Sequence, residues 1–184
     1  MVCVVCKRPT NSSWLCSSCR VPYERIWVVG ERKGVLQRLI GLYKFERARS
    51  AYRMLGDLLL KVLPELPSNT VIVPVPTVSS HIRERGYDHM LLIAKYVAKK
   101  RGLDCKQLLL RKTNTKQRQT SAKTRLEQAR QAFIAKMNID QEVPYLLIDD
   151  VITTGATIKY ASQTLLDSGA KLVWVAAIAR QPLD

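Results

Sequence analysis

The sequence lacks a long apolar run and lacks a targeting segment. The 184-residue sequence contains no uninterrupted run of about 18 apolar residues, the length that a membrane-spanning helix needs. Its amino terminus also lacks the positively charged segment followed by an apolar segment that marks a signal peptide. We therefore expect a protein that does not insert into membranes and resides in the cytoplasm. In that reducing compartment the five cysteines do not predict a disulfide framework, so their spacing needs another explanation.

Histidine and aromatic residues are also scarce where a function would need them. His81 and His89 are the only histidines, and we interpret each as a surface or helix residue, so no general base is evident. No Phe, Tyr or Trp lies between Lys99 and Arg130, which counts against base stacking on that basic segment.

Acidic residues are few, 15 against 30 basic ones, which leaves a formal charge of +15. This excess indicates an anionic partner, either a nucleic acid backbone or a small phosphorylated metabolite, and charge does not separate the two. A merely basic protein with scattered surface cations is the plain alternative. Two basic clusters, at 83–85 and 111–130, argue against that alternative.

Four of the five cysteines form two C-x-x-C pairs, Cys3 with Cys6 and Cys16 with Cys19. Two such turns can present four thiolates to one tetrahedral zinc ion, and the metal would stabilise a segment too short to fold alone. We expect a structural zinc module at 1–22. A redox C-x-x-C pair is the alternative, and it leaves the second pair unexplained. Cys105 is interpreted as a buried small residue.

The rest of the chain, 23–184, alternates apolar strands with segments of helical spacing. The predicted strands are 25–29, 70–76, 107–110, 144–150 and 171–179, and the predicted helices are 35–42, 51–62, 87–101, one beginning near 120, and 157–168. This order predicts an α/β fold with a largely parallel sheet flanked by helices, whose ligands lie beyond the carboxyl ends of the strands.

The stretch YLLIDDVITTGAT at 145–157 places Asp149 and Asp150 at a strand end and a small hydroxylated turn before a helix. Gly155 permits a tight turn, and backbone amides at a helix amino terminus favour an anion, so the turn predicts a cradle for one phosphate. The two carboxylates would repel phosphate and are expected to face sugar hydroxyls. The predicted phosphate-binding residues are Thr153, Thr154, Gly155, Ala156 and Thr157. A solvated Asp-Asp turn before an ordinary helix cap is the structural alternative.

This stretch resembles the signature of the type I phosphoribosyltransferases, which has apolar residues, two acids and a small phosphate loop. Further motifs resemble the ComF family, also described as late competence or amidophosphoribosyltransferase-like proteins. They are VPVP at 73–76, RERGYDHMLLIAK at 83–95, RQTSAKTRLEQARQAF at 118–133 and the four-cysteine segment. The family's usual Arg-Gly-Phe-Asn reads Arg-Gly-Tyr-Asp at 85–88.

The resemblance implies binding of phosphoribosyl diphosphate (PRPP), with Asp149 and Asp150 on the ribose hydroxyls and as the catalytic pair. It also implies a pyrophosphate loop that includes Val75, flanking contacts from Arg83 and Arg85, and a flexible hood at about 111–130. The expected reaction is pentosyl transfer to an unknown acceptor with release of pyrophosphate. Mg2+ is expected on the diphosphate oxygens.

The resemblance further links the chain with DNA uptake in natural transformation, with single-stranded DNA or competence proteins as expected partners. A second reading is therefore a non-catalytic, PRPP-sensing protein that associates with single-stranded DNA. A third is a zinc-stabilised adaptor between proteins.

Overall fold

The structure is a computed structural model that describes residues 1–11, 13–46, 48–111, 133–136 and 139–182. The strands are β1 (Arg25–Glu31), β2 (Val71–Pro74), β3 (Asp104–Cys105), β4 (Leu109–Arg111), β5 (Phe133–Ala135), β6 (Tyr145–Ile152) and β7 (Val173–Arg180). The helices are α1 (Gly34–Phe45), α2 (Ala51–Val62), α3 (Ser79–Arg85), α4 (His89–Arg101) and α5 (Ala156–Asp167). Among the described helices, none has the length and apolar character needed to span a membrane.

Five strands form one parallel sheet in the order β1-β7-β6-β2-β3. The central strands are apolar along their whole length because both faces of the sheet are covered. All four residues of β2 are buried, and so are the first five residues of β6. Strands β4 and β5 form a separate antiparallel pair. The α/β class with a parallel sheet flanked by helices is thereby confirmed.

The side chains of each strand alternate between two apolar clusters. Val73, Leu147 and Val175 point to one face, which is covered by α5, the β4–β5 pair and apolar residues of the cysteine segment. Ile72 and Leu146 point to the opposite face, which packs against α1, α2 and α4. A sheet buried on both faces leaves its carboxyl edge as the place where polar side chains can meet a ligand.

Most predicted elements lie where the apolar spacing placed them, and three short ones, α3, β3 and β5, were not predicted. Helix α3 buries none of its seven residues, so it has no apolar periodicity to detect. Strand β3 has two residues, and Cys105 within it is half-buried against the core, whereas a buried residue was expected. The predicted helix near 120 and the hood after Arg111 fall in 112–132, outside the described residues.

Helices α2 and α4 cross closely at Gly56, where an added Cβ would overlap the ring of Tyr96. That ring is held in place because its hydroxyl donates to Asp57 at 2.7 Å and its edge packs against Tyr52. We predict that Gly56→Ala lowers the free energy of unfolding by roughly 1 kcal/mol, since overpacking outweighs the gain in helix propensity. Urea denaturation of the metal-loaded protein measures the change.

Gly41, in the middle of α1, is the matched control because a Cβ there meets nothing within 4 Å. Gly41→Ala is expected to raise the free energy of unfolding by about 0.5–1 kcal/mol. If Gly56→Ala is as stabilising as Gly41→Ala, the close crossing of α2 and α4 is wrong.

Candidate functional site

A cleft of about 370 Å³ opens at the carboxyl edge of the sheet, where β2 and β6 lie side by side. It receives side chains from the strand ends, from the helices that follow them and from the last turn of α1. The ionisable and hydroxyl-bearing lining residues are Lys44, Thr77, His81, Glu84, Arg85, His89, Arg111, Asp149, Asp150 and Thr157. The cleft therefore contains both signs of charge.

Asp149 is the more deeply buried of the two adjacent carboxylates, with 8% of its surface exposed. Its Oδ1 accepts a hydrogen bond from the backbone amide of Asp150 at 2.9 Å. Burial, and then the negative charge of Asp150, raise the pKa of Asp149 to about 7. Near neutral pH this carboxyl can therefore donate as well as accept a hydrogen bond.

Asp150 is held in the ionised form by two donors from different helices. Nζ of Lys44 lies 2.6 Å from its Oδ2, and Nε2 of His89 lies 2.5 Å from the same oxygen. Burial acts to raise the pKa of Asp150, but the contacts with His89 and Lys44 outweigh it and lower that pKa below its ordinary value. The pKa values of the two neighbouring acids are thus shifted in opposite directions.

The second ring nitrogen of His89 connects this pair to the arginine at the end of α3. Nη1 of Arg85 lies 3.1 Å from Nδ1 of His89. A guanidinium can only donate, so Nδ1 accepts and the ring hydrogen is assigned to Nε2, facing Asp150. The backbone at His89 is fixed by Asp88, whose carboxylate accepts from the first amides of α4 and from the hydroxyl of Thr77.

The loop between β6 and α5 contains the residues that were predicted to form an anion cradle. Gly155 adopts the left-handed conformation with φ of 76°, which favours glycine, and it precedes the first turn of α5. The amide of Ala156 donates to the hydroxyl of Thr154 at 3.4 Å, and Thr157 lines the cleft. Thr153, Thr154 and Ala156 are exposed, and they are not among the residues that line the cleft.

Of the other predicted residues, Val75 and Arg85 line the cleft and Arg83 does not. Val75 is buried, its amide donates to the carbonyl of Ile148 at 2.9 Å, and it lines the cleft. Arg85 lines the cleft as well, whereas Arg83 is exposed on α3 and is not among the lining residues. Arg111 lines the cleft, and the rest of the predicted hood lies outside the described residues.

Sequence reasoning missed Lys44 and underestimated His89. His89 does lie in a helix, but it is 5% exposed and contacts Asp150, so it is not a surface residue. A signal was present, since His89 follows the helix-capping Asp88 in the segment after a buried strand. For Lys44 no local signal exists, because it ends a helix far from the acidic motif.

The four amino-terminal cysteines converge as their spacing predicted. Their sulfur atoms all lie within 4.8 Å of one another, with Sγ of Cys3 at 3.9 Å from that of Cys19 and Sγ of Cys6 at 3.5 Å from that of Cys16. Within the described part of the chain, this is the only group of three or more histidine, cysteine, aspartate or glutamate side chains that could hold a metal ion. Cys105 is not part of it.

The cysteine cluster rests on the sheet. Cys3 is fully buried, and the neighbouring Val4 and Leu15 pack against one of the apolar clusters of the core. The ring of Trp14 lies 5.3 Å from the guanidinium of Arg180, the last residue of β7. Arg180 is buried and pairs with Glu31, the last residue of β1. The cysteine segment is therefore attached to the carboxyl edge of the sheet.

Two solved structures share this architecture. One is described as the allosteric regulatory enzyme of purine biosynthesis, with a TM-score of 0.51 and 22% identity over 70% of this chain. The other is glutamine PRPP amidotransferase from B. subtilis complexed with ADP and GMP, with a TM-score of 0.50 and 20% identity over 70% of this chain. The matches cover 25% and 26% of those longer chains. The fold is that of the type I phosphoribosyltransferases.

Sequence relatives give a narrower assignment, although no model of a known protein family matches the chain. Competence protein F of Haemophilus influenzae is 30% identical over 172 residues, 86% of this chain and 73% of that protein. Competence protein ComFC of Bacillus subtilis is 27% identical over 91% of this chain and 72% of that protein. DNA utilization protein YhgH of Salmonella typhi is 28% identical over 97% of this chain and 84% of that protein. The chain belongs to the ComF family of competence proteins.

The raised pKa of Asp149 predicts a particular dependence of stability on pH. The folded protein binds the Asp149 proton up to about pH 7, whereas an unfolded Asp loses it near ~4. The wild type therefore loses stability through this group as pH rises from ~4 to about 7, and Asp149→Asn does not. We expect the free energy of unfolding of Asp149→Asn, relative to wild type, to increase over this range in urea titrations. A difference that stays constant with pH would contradict the raised pKa.

Proposed function

We propose that this protein binds PRPP in the cleft at the carboxyl edge of its sheet and transfers the pentosyl group to an acceptor. The observation that carries the proposal is the junction of β6 and α5, where two acids of opposite protonation tendency lie beside a glycine-containing anion cradle. Asp149 and Asp150 would bind the ribose hydroxyls, and residues 153–157 would bind the 5-phosphate. The PRPP named in the description of one solved structural neighbour supports the same ligand.

The charges of the cleft fit the separate parts of such a ligand. The ionised Asp150 can accept from a sugar hydroxyl, and the carboxyl of Asp149 can either donate or accept. Arg85 and Arg111, which line the same cleft, would then meet the diphosphate.

In pentosyl transfer the acceptor forms a bond to C1 of the ribose while the bond from C1 to the diphosphate oxygen breaks, and pyrophosphate leaves with the electron pair. The contribution of the chain is to orient the ribose, to stabilise the charge of the leaving group and to exclude water. The cleft side chains do not form a three-ligand metal cage within the described residues. Mg2+ would therefore be held through the diphosphate oxygens, where it neutralises negative charge.

We further propose that residues 1–22 form a structural zinc module and that 23–184 form the phosphoribosyltransferase-like domain. Four thiolate sulfurs about 2.3 Å from one tetrahedral zinc ion lie roughly 3.8 Å apart. The observed Sγ separations of 3.5 and 3.9 Å fit that geometry. Four cysteines leave no open position for a substrate, so the metal would act on folding alone.

A second candidate function is supported by the names of the relatives, which refer to competence and to DNA utilization. In this alternative the cleft binds PRPP as a sensor without turnover, and the basic protein associates with single-stranded DNA. The formal charge of +15 favours a polyanionic partner. The two functions differ in whether pyrophosphate is released.

Replacing both Asp149 and Asp150 by asparagine tests ligand binding while the fold is checked independently. We expect Asp149→Asn combined with Asp150→Asn to weaken PRPP binding roughly 100-fold, because a hydrogen bond to the charged Asp150 contributes ~1.5–3 kcal/mol and one to Asp149 about 1 kcal/mol. Isothermal titration calorimetry measures the affinity, and circular dichroism checks the fold. Asp104→Asn is the control, since Asp104 is exposed on β3. Unchanged affinity in the double variant would remove the proposed ligand site.

Turnover is tested by pyrophosphate release from PRPP and Mg2+ in the presence of a panel of bases and amines. Release with any acceptor supports the transferase. Binding without release favours the sensor, and in that case binding of single-stranded DNA should fall steeply with salt concentration. DNA binding that does not respond to salt would dismiss a role for the basic surface.

The zinc proposal predicts about one zinc ion per chain by elemental analysis. Cys6→Ser combined with Cys16→Ser is expected to remove the metal and to expose the apolar residues that pack beneath the module, since the segment cannot fold without it. Cys105→Ser is the matched control and should leave the zinc content unchanged. Protein purified without chelators that contains no zinc would contradict the assignment.

A further inference from the structure

Lys44 occupies a position that the ribose-binding acids do not by themselves require. It lies in the last turn of α1, its side chain is 18% exposed, and its Nζ is 2.6 Å from Oδ2 of Asp150. Among the ion pairs of the described residues, Asp150 is its one carboxylate partner. A lysine buried to this extent needs a partner charge, so the pair is part of the cleft and not a surface contact.

The backbone at Lys44 is fixed by two hydrogen bonds of the preceding residue, Tyr43, one through its hydroxyl and one through its carbonyl. Tyr43 is 1% exposed, and its hydroxyl donates to the carbonyl of His89 at 2.7 Å. The hydroxyl of Tyr87 donates to the carbonyl of Tyr43. The end of α1 is thus fixed to the start of α4, and the ammonium group of Lys44 is directed at Asp150 by the fold.

Both donors to Asp150 use the same carboxylate oxygen. Lys44 and His89 contact Oδ2, and no hydrogen bond among the described residues ends on Oδ1. A carboxylate offers about four lone-pair sites, so Oδ1 retains its capacity for a sugar hydroxyl. Lys44 and His89 therefore hold Asp150 through Oδ2, and Oδ1 remains for a ligand.

We propose that Lys44 is the built-in counter-ion of the ribose subsite, so that a ribose 5-phosphate group binds beside Asp150 without a divalent cation. This inference rests on the proposed function. It assigns Mg2+ to the diphosphate portion of the ligand alone, and it makes Lys44 a positioning residue that acts through Asp150. Ribose 5-phosphate, which lacks the diphosphate, is accordingly the discriminating probe.

The test is calorimetry with ribose 5-phosphate in Mg2+-free buffer and in buffer with Mg2+, prepared without a chelator so that the metal of the cysteine module is retained. We expect the wild type to bind equally in both. Lys44→Gln, which keeps a donor but loses the charge, should bind about tenfold or more weakly without Mg2+ and recover part of that loss with it. Lys44→Arg should stay within a few-fold of wild type.

Lys61 provides a matched control, because it is an exposed lysine in the last turn of the neighbouring helix of equal length. Lys61→Gln should leave binding unchanged, and thermal unfolding checks that each variant is folded. If Lys44→Gln does not fold, the dependence of wild type and Lys44→Arg on Mg2+ still decides the question.

Three results would count against the inference. Wild-type binding of ribose 5-phosphate that requires Mg2+ would overturn the counter-ion role and leave the proposed function standing. Unaltered binding by folded Lys44→Gln in Mg2+-free buffer would overturn it in the same way. Failure of the wild type to bind either ribose 5-phosphate or PRPP under both conditions would overturn the proposed function itself.

Discussion

The ion pair between Asp150 and Lys44, completed by His89, is the interaction on which the cleft depends. A carboxylate at the end of a buried strand is stable as an anion only if other elements provide partners. Here α1 contributes an ammonium at 2.6 Å and α4 contributes an imidazole at 2.5 Å. The same contacts that stabilise the charge therefore dock two helices against the carboxyl edge of the sheet, and the electrostatics and the packing of the site have one origin.

The divergent behaviour of the two neighbouring acids follows from this arrangement. Asp149 and Asp150 alternate along β6, so each meets a different environment although they are adjacent in sequence. Asp150 faces the donors, while Asp149 is buried and has the amide of Asp150 as its hydrogen-bond partner. A pair with one ionised and one protonatable member can accept from one sugar hydroxyl and donate to another, which two identical carboxylates would do less well.

The parts of the site that were predictable from sequence are those encoded by consecutive residues. The strand, the two acids and the Gly155 turn lie within one stretch of thirteen, and the cysteine pairs within another, so local rules sufficed. Lys44 and His89 reach Asp150 only through the tertiary fold, and His89 is 61 residues away in the chain. Charge and hydropathy do not distinguish such residues from surface ones. The register of the sheet and the packing of α1 and α4 decide their role.

The cysteine module contacts the end of β7 as well as the apolar core. Arg180 at the end of β7 lies opposite Ile152 in the register of the sheet, and Ile152 directly precedes the cradle residues. Trp14 of the module packs on the guanidinium of Arg180, a contact of the kind that contributes ~0.5–2 kcal/mol, and Glu31 pairs with the same group. The module thus covers a buried cation at the strand end beside Ile152. Because Arg180 is 5% exposed, loss of that cover would expose its charge to water.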